Sequence, residues 1–198
     1  MNRLTIYFVA TAITTLPAIT ARGSDLNSPD GFVVQQLDPL GGEVLRPKEW
    51  HFYAMEKGGT LVYKITKEPM SESSGSETDL TINIIPGITK KTGQPTSGYL
   101  PYFFNKTKSH STIVSKEQVT QQGEFVRLAF LADEELEIGG KKKMHRISYV
   151  LFASDNRDFL VAFVFGCPRD EWAANEAICH TMCNQIKIFD DKKSRLPH

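Results

Sequence analysis

The chain has 198 residues, of which 40% are hydrophobic and 23% are charged. This length and apolar content are typical of one globular domain that buries its own core. The 23 Lys and Arg residues balance the 23 Asp and Glu residues. No net charge therefore favours a nucleic acid or an anionic membrane surface, and we expect no nucleic-acid partner.

The first 21 residues have the pattern of an export signal. A positive charge at Arg3 precedes an uncharged apolar stretch from Leu4 to Ala18, and small residues follow up to Ala21. A first core helix is the alternative, but the stretch has no charges for a solvent-facing side and precedes a polar segment. We therefore expect cleavage after Ala21 and an exported protein, periplasmic or secreted. No later run of about 18 apolar residues occurs, so we expect no membrane span.

The remaining sequence predicts one domain that opens with a β-hairpin. We expect a signal peptide, a polar N-terminal segment, a single domain and a C-terminal tail, with the bounds 1–21, 22–42, 43–190 and 191–198. Two stretches rich in aromatic and β-branched residues, EVLRPKEWHFYAME and TLVYKITKE, flank Gly58 and Gly59. This pattern is typical of two strands joined by a tight turn.

A loop, a strand and a short helix follow in the predicted domain. The serine-rich stretch from Pro69 to Asp79 predicts an exposed loop, and LTINIIPG predicts a strand. A helix is expected from about Gly98, with Pro101 in its first turn. Its four aromatic residues could stack on bases or sugars, but a face docked on a sheet is the favoured interpretation; these residues are Tyr99, Tyr102, Phe103 and Phe104.

The second half of the domain predicts an antiparallel meander. Turn signals, including Gly139 and Gly140, separate segments with strand-like composition. The last strand, Phe159 to Phe165, is almost entirely apolar, so we expect it to be central and covered on both faces. The predicted fold class is α+β, with a single antiparallel sheet of about six strands sandwiched between helices in α/β/α layers.

Three cysteines and a histidine cluster in the C-terminal part of the sequence. Pro168 suits a first helical position, so we expect a helix that starts at Cys167 or Pro168. At about 100° per residue, Cys179 and Cys183 lie on its apolar stripe, and His180 lies toward the rim. On a continuous helix Cys167 would lie about 18 Å from Cys179.

The spacing of these residues argues against a disulfide or a metal site. Cβ atoms four residues apart on a helix are about 5–6 Å apart, which is too far for a disulfide. Cys179, His180 and Cys183 form at most a partial ligand set for zinc. We therefore expect buried, free thiols, no metal and no cofactor. A second hypothesis places Cys167 at a helix N-terminus as a nucleophile with a lowered pKa, although no base partner is visible.

A basic run marks the predicted hairpin tip around Gly139 and Gly140. Its four cations, Lys141, Lys142, Lys143 and Arg146, could bind an acidic partner. A solvated turn is the alternative. The acidic stretch from Asp133 to Glu137 stands across the same predicted turn, where it can neutralise the tip.

Several of these segments carry a family resemblance. The RPKEW stretch that opens a strand, the ISYVLFAS and FLVAFVFG strands, and the PRDEW helix that ends in IKIF resemble PsbP-like and Mog-type domains. This resemblance covers Glu43 to Phe189 and implies an antiparallel sheet of about six strands between helices. Members of the family include an extrinsic photosystem subunit, a nuclear Ran-binding protein and exported bacterial proteins without an assigned task. The resemblance transfers no site residue.

Three functional hypotheses follow from the sequence. The favoured one is an exported, non-enzymatic binding or accessory domain for a protein partner or a small ligand. The second is a thiol-dependent or metal-binding enzyme that uses Cys167 or the group Cys179, His180 and Cys183. The third is a structural component of an envelope assembly.

Overall fold

The fold is described from a computed structural model, which covers residues 26–70 and 76–187 and omits the side chain of Lys57. The predicted signal peptide and C-terminal tail lie outside these residues. The described strands are Phe32–Leu37 (β1), Gly42–Pro47 (β2), His51–Lys57 (β3), Thr60–Thr66 (β4), Asp79–Pro86 (β5), Thr112–Lys116 (β6), Thr120–Gln122 (β7), Phe125–Ile138 (β8), Lys141–Ser154 (β9), Phe159–Pro168 (β10) and Ile186–Lys187 (β11). The described α-helices are Ile88–Thr92 (α1), Tyr99–Lys108 (α2) and Trp172–Asn184 (α3).

The strands form two antiparallel sheets. The main sheet has eight strands in the order β3-β4-β5-β10-β9-β8-β6, with β7 also paired to β8. A second sheet has the order β1-β2-β11. The α+β class is therefore confirmed, whereas the prediction of a single sheet of about six strands is wrong. Strand β1 lies inside the stretch that the sequence analysis described only as a polar N-terminal segment.

The stretch predicted as one strand before Gly58 is two strands in different sheets. The chain turns at Pro47, whose carbonyl accepts a hydrogen bond of 3.0 Å from the Trp50 amide. The Arg46 guanidinium donates to the carbonyls of Lys48 and Trp50 across this turn. These bonds explain the RPKEW stretch, because they fix the corner where the chain passes from β2 to β3.

The predicted hairpins are present. Strands β3 and β4 pair in regular register from His51 with Thr66 to Lys57 with Thr60. Gly58 and Gly59 connect them with φ angles of 58° and 74°, a left-handed conformation that glycine adopts at little cost. Strands β8, β9 and β10 form the predicted meander, and β10 closes the sheet on β5.

Strand β10 is central and its side chains enter two separate cores. Phe163 and Phe165 belong to the core under α3 and the smaller sheet. Leu160 and Val164 belong to the core under α1 and α2. All ten residues of β10 are buried. The predicted burial of this strand on both faces is confirmed. One of the two layers that pack on these faces includes a sheet as well as a helix.

Two local predictions need correction. The C-terminal helix begins at Trp172 and not at Cys167, because β10 continues to Pro168 and a 3-10 turn over Arg169–Glu171 follows. The loop after Pro69 is not exposed throughout. Ser76 is buried, and its hydroxyl donates to the Glu68 carboxylate. Helix α1 was not predicted. Among the described residues, no helix is long and apolar enough to cross a membrane.

Candidate functional site

The structure places all three cysteines in one core. Cys167 lies on β10, and Cys179 and Cys183 lie on the side of α3 that packs over it. The expected separation of about 18 Å between Cys167 and Cys179 assumed that both lie on one continuous helix. This assumption is wrong, because Cys167 lies on a strand and Cys179 lies on the helix that packs against it. All three are free thiols and buried.

The environment of these thiols sets their acidity. Burial raises the pKa of Cys167 to about 12. Cys183 donates its S–H to the sulfur of Cys179, which lowers the pKa of Cys179 and, together with burial, raises the pKa of Cys183. Cys167 is inside a strand, so the argument from a helix N-terminus does not apply to it.

His180 does not join the two helical cysteines. Its side chain is exposed, and its Nδ1 lies 3.1 Å from Asn184 Nδ2. Cys179 and Cys183 point into the core instead. Across residues 26–70 and 76–187, no group of three or more His, Cys, Asp or Glu side chains is placed to hold a metal ion.

A cleft lies where the C-terminal end of α3 meets the end of the main sheet. Its volume is about 280 Å³. Polar side chains dominate its lining, with two apolar side chains among them, and the full set is Thr120, Gln122, Arg127, Phe152, Cys183, Asn184 and Ile186. The cleft therefore brings charged, polar and apolar groups together.

Strand register brings the sheet side of the cleft together. Thr120 of β7 pairs with Arg127 of β8, which in turn pairs with Phe152 of β9. Directly paired residues in an antiparallel sheet point to the same face, so these three side chains stand in a row on the face that α3 covers. Helix α3 ends at Asn184, and β11 then holds Ile186 against β2. One end of this row of three side chains is therefore not covered by α3, and it lies beside the C-terminal end of that helix.

Arg127 is an unusual residue at this position. Its neighbours on the same face of β8 are Phe125, Ala129 and Leu131, all of which pack in the α3 core. Only 16% of its side chain is exposed. Its Nη1 donates to a carboxylate oxygen of Glu117, a side chain that is 61% exposed. The guanidinium also opposes the rise in the pKa of Cys183, so its positive charge acts inside the cleft.

The chemistry of the cleft favours recognition of a ligand. Arg127 supplies a fixed cation, while Gln122, Asn184 and Thr120 supply hydrogen-bonding groups. Cys183 is the cleft thiol and its pKa is raised, so it is a poor nucleophile at neutral pH. Sequence reasoning missed this site. The available signal was Arg127 itself, a charged residue in a core-facing position of the alternating segment FVRLAFLA.

The basic hairpin tip is largely paired with carboxylates. Three of its four cations form ion pairs, and the fourth, Lys141, is the first residue of β9. The ion pairs join Lys142 to Glu135 at 3.1 Å, Lys143 to Glu77 at 3.2 Å and Arg146 to Asp133 at 2.7 Å. The predicted neutralisation by the acidic strand is present, because Asp133 and Arg146 are paired residues of β8 and β9. Partner binding by this tip stays a prediction.

The aromatic residues of α2 mainly form a docked face. Phe103 is buried, and Phe104 contacts Phe130 of the sheet edge-on with ring centroids 5.1 Å apart. Tyr102 is the exception, with 54% of the residue exposed. The favoured interpretation of this helix, packing on a sheet, agrees with these contacts.

Comparisons with known proteins show likeness in structure only. No family model matches the chain, and no curated protein matches its sequence. The Ran-binding protein Mog1p of Saccharomyces cerevisiae has a TM-score of 0.50 at 11% identity, over 86% of this chain and 100% of Mog1p. The cyanobacterial PsbP (CyanoP) of Synechocystis sp. PCC 6803 has a TM-score of 0.49 at 13% identity, over 86% of this chain and 99% of CyanoP.

A third solved structure is LpqN of Mycobacterium tuberculosis, described as involved in cell envelope biogenesis. Its TM-score is 0.40 at 12% identity, over 84% of this chain and 83% of LpqN. The chain has the PsbP/Mog-like fold, as its sequence resemblance predicted. At these identities the likeness shows the fold and transfers no site residue.

Proposed function

We propose that the chain is an exported, non-enzymatic binding or accessory domain whose binding site is the cleft at the end of α3. The observation that carries this proposal is the convergence of Arg127, Gln122 and Asn184 on one cavity of about 280 Å³. Ligand sites in proteins are concave and fix their ligand with a small number of convergent polar groups.

The chemistry of the thiols supports a binding role over an enzymatic one. A thiol nucleophile acts as the thiolate, and burial raises the pKa of Cys167 to about 12 while Cys183 in the cleft also has a raised pKa. Mog1p is a Ran-binding protein, so binding has a precedent on this fold.

Native mass spectrometry tests the site. The protein is purified without denaturation from the organism that encodes it, and a bound species is sought at close to one per chain. Thr120→Trp should fill the cleft and remove that species. Thr112→Trp, at another exposed threonine on an outer strand, β6, is the matched control and should retain it. The same bound species in both variants would place the site elsewhere.

Export is tested on the same purified protein. The sequence supports cleavage after Ala21, so the mature chain should begin at Arg22 and be recovered from the periplasm or the medium. N-terminal sequencing decides this point. A chain that begins at Met1 and stays with the cytosolic fraction would contradict export.

A further inference from the structure

We propose that the ligand of the cleft carries a carboxylate that binds the Arg127 guanidinium in place of Glu117, and an apolar group that packs against Phe152 and Ile186. This inference rests on the proposed function, because it assigns the chemical class of the ligand for that same cleft. The shared chemistry covers both a free small acid and the C-terminal carboxylate of a polypeptide.

Arg127 is a partly buried cation with an incomplete partner. Arg127 stands in a row of core-facing side chains with 16% of its side chain exposed. Removing a guanidinium from water is costly unless charged partners replace the lost solvation. Glu117 is a weak replacement because 61% of its side chain is in water, where charge attraction is screened. The site therefore holds a cation that a better-buried carboxylate would stabilise further.

Arg127 also keeps several hydrogen-bond donors available. A guanidinium has five N–H groups arranged in a fork that matches a carboxylate with two parallel hydrogen bonds. Among the described residues, the bond from Nη1 to Glu117 is the one side-chain hydrogen bond that Arg127 makes. An incoming carboxylate can use the remaining donors and displace Glu117 without changing the net charge of the site.

The charges around the cleft favour a carboxylate over a phosphate. Arg127 is the one cationic side chain among the described residues that line the cleft. The cleft also includes Cys183 and Asn184, at the C-terminal end of α3, where the helix dipole is negative. A dianion would keep an uncompensated charge beside that end. A single carboxylate is neutralised by one guanidinium.

The apolar side chains of the cleft indicate the chemistry of the rest of the ligand. Phe152 and Ile186 give the cleft an apolar part beside the polar groups. Phe152 is held rigidly, with its ring edge-on to Phe125 and Phe163 at centroid distances of 6.2 and 5.9 Å. A flat or branched hydrocarbon group next to the carboxylate would pack against this ring.

Calorimetric titration with phenylacetate and its neutral analogue phenylacetamide tests the inference on the full-length mature protein. Phenylacetate should bind with a dissociation constant at or below about 1 mM, and phenylacetamide at least about tenfold more weakly. Arg127→Gln should lose at least about tenfold in affinity for phenylacetate, and Glu117→Gln should gain affinity because the competing carboxylate is gone. Arg169→Gln is the matched control: it also removes one arginine with a carboxylate partner, in this case Asp133, which lies farther along β8 than Arg127, and it should bind as the wild type does.

Each result has a defined meaning. Equal binding of the acid and the amide, unchanged affinity in Glu117→Gln, or no saturable binding of phenylacetate up to about 10 mM overturns the carboxylate assignment. If both probes bind equally and Thr120→Trp abolishes both, the proposed binding site stands and only the ligand class is wrong. If Thr120→Trp changes neither, both proposals fail. The Glu117→Gln variant and the comparison of the two probes remain decisive if Arg127→Gln does not fold.

A peptide pair distinguishes the two sources of a carboxylate. An acetylated tripeptide that ends in phenylalanine is compared with the same peptide amidated at its C-terminus. Tighter binding of the free-acid peptide than of phenylacetate supports a polypeptide C-terminus as the ligand. Binding of phenylacetate alone supports a small free acid.

Discussion

Trp172 and Trp50 enclose the same phenylalanine at one end of the α3 core. Phe165 of β10 stacks with Trp50 and meets Trp172 edge-on, each at a centroid distance of 6.2 Å. Trp50 follows the corner between β2 and β3, and Trp172 begins α3. The two tryptophans therefore connect the first strand of the main sheet to the C-terminal helix through one ring of the central strand.

Trp172→Ala should lower the free energy of unfolding by about 3–5 kcal/mol, because it removes a large buried side chain and leaves a cavity beside Phe165. Urea denaturation of the purified protein measures this change. Trp172→Phe keeps most of the contact and should cost less. A loss below about 1 kcal/mol in the alanine variant would show that Trp172 contributes little to the core.

The three thiols should be unreactive in the native protein. Their residues are 0%, 4% and 3% exposed for Cys167, Cys179 and Cys183. Intact-mass analysis after iodoacetamide treatment at neutral pH, without reductant, should find no native labelling and three labels after unfolding. Rapid native labelling of Cys167 would revive the thiol-enzyme hypothesis. Fewer than three labels after unfolding would indicate a disulfide or another modification.

The ion pair of Asp133 makes stability depend on pH. Two hydrogen bonds from Arg146, with the charges of Arg146 and Arg169, hold the pKa of Asp133 below its usual value. A carboxyl group with a lowered folded pKa stabilises the fold above its unfolded pKa, near 4, and loses this contribution as pH falls through the folded pKa.

Asp133→Asn should therefore destabilise the protein by about 2 kcal/mol at pH 7, and the difference from wild type should shrink as the pH falls below about 4. Urea denaturation at a series of pH values measures both quantities. Asp30→Asn, at an exposed carboxylate, is the control. A difference that stays constant down to about pH 2 would contradict an ionic origin.

At the level of elements, sequence patterns predicted long strands and glycine turns well. Strand β10 was identified by a nearly unbroken apolar run, and the hairpin turns by paired glycines at Gly58 and Gly139. Short pieces were missed. Strand β1 contains two glutamines, and Pro47 closes β2 in the middle of a run that looks like one strand. These elements are determined by pairing with strands that are distant in the sequence. A local sequence pattern does not identify those partner strands.

The candidate site was less predictable than the strands. Cys183 was identified as a residue of the buried helix face, but the cleft beside it depends on where α3 ends over the sheet. Helix α3 starts five residues after Cys167, because β10 keeps pairing with β9 as far as Pro168. The helix signals at Pro168 are local, and they do not show that the pairing of β10 with β9 continues past the expected start of the helix. The alternation of apolar residues in β8 puts Arg127 on the core face, and sequence reasoning missed this signal.

The hairpin between β8 and β9 is an element whose role can be tested by charge. Reversal of Lys141, Lys142 and Lys143 to glutamate should reduce capture of acidic partners from envelope extracts at low salt by at least about tenfold. Reversal of Lys90 and Lys91 on α1 is the matched basic control and should leave capture unchanged. If both variants capture acidic partners as well as the wild type does, the tip is a solvated turn and not a partner-binding surface.

On the scale of the whole molecule, the two cores share one strand. All ten residues of β10 are buried. They pair with β9 along their whole length, and Phe159 to Gly166 pair with β5 on the other side. Both cores therefore share the ladders of β10, and opening these ladders removes a wall from each core. The protein should consequently unfold in a single transition, although its hydrophobic residues form two clusters.

Amide hydrogen exchange gives this shared strand an observable signature. Backbone amides of Leu160 to Phe165 should exchange with deuterium only when the entire molecule unfolds, so their protection should equal the global free energy of unfolding. Amides of β6 and β7, on the exposed rim of the sheet, should exchange through smaller openings. Exchange of these amides at a free energy below that of global unfolding would show that the sheet opens locally at β10. If all of these amides are equally protected, β10 is the last strand of the protein to open. Its opening is then the step that makes the chain accessible to a protease.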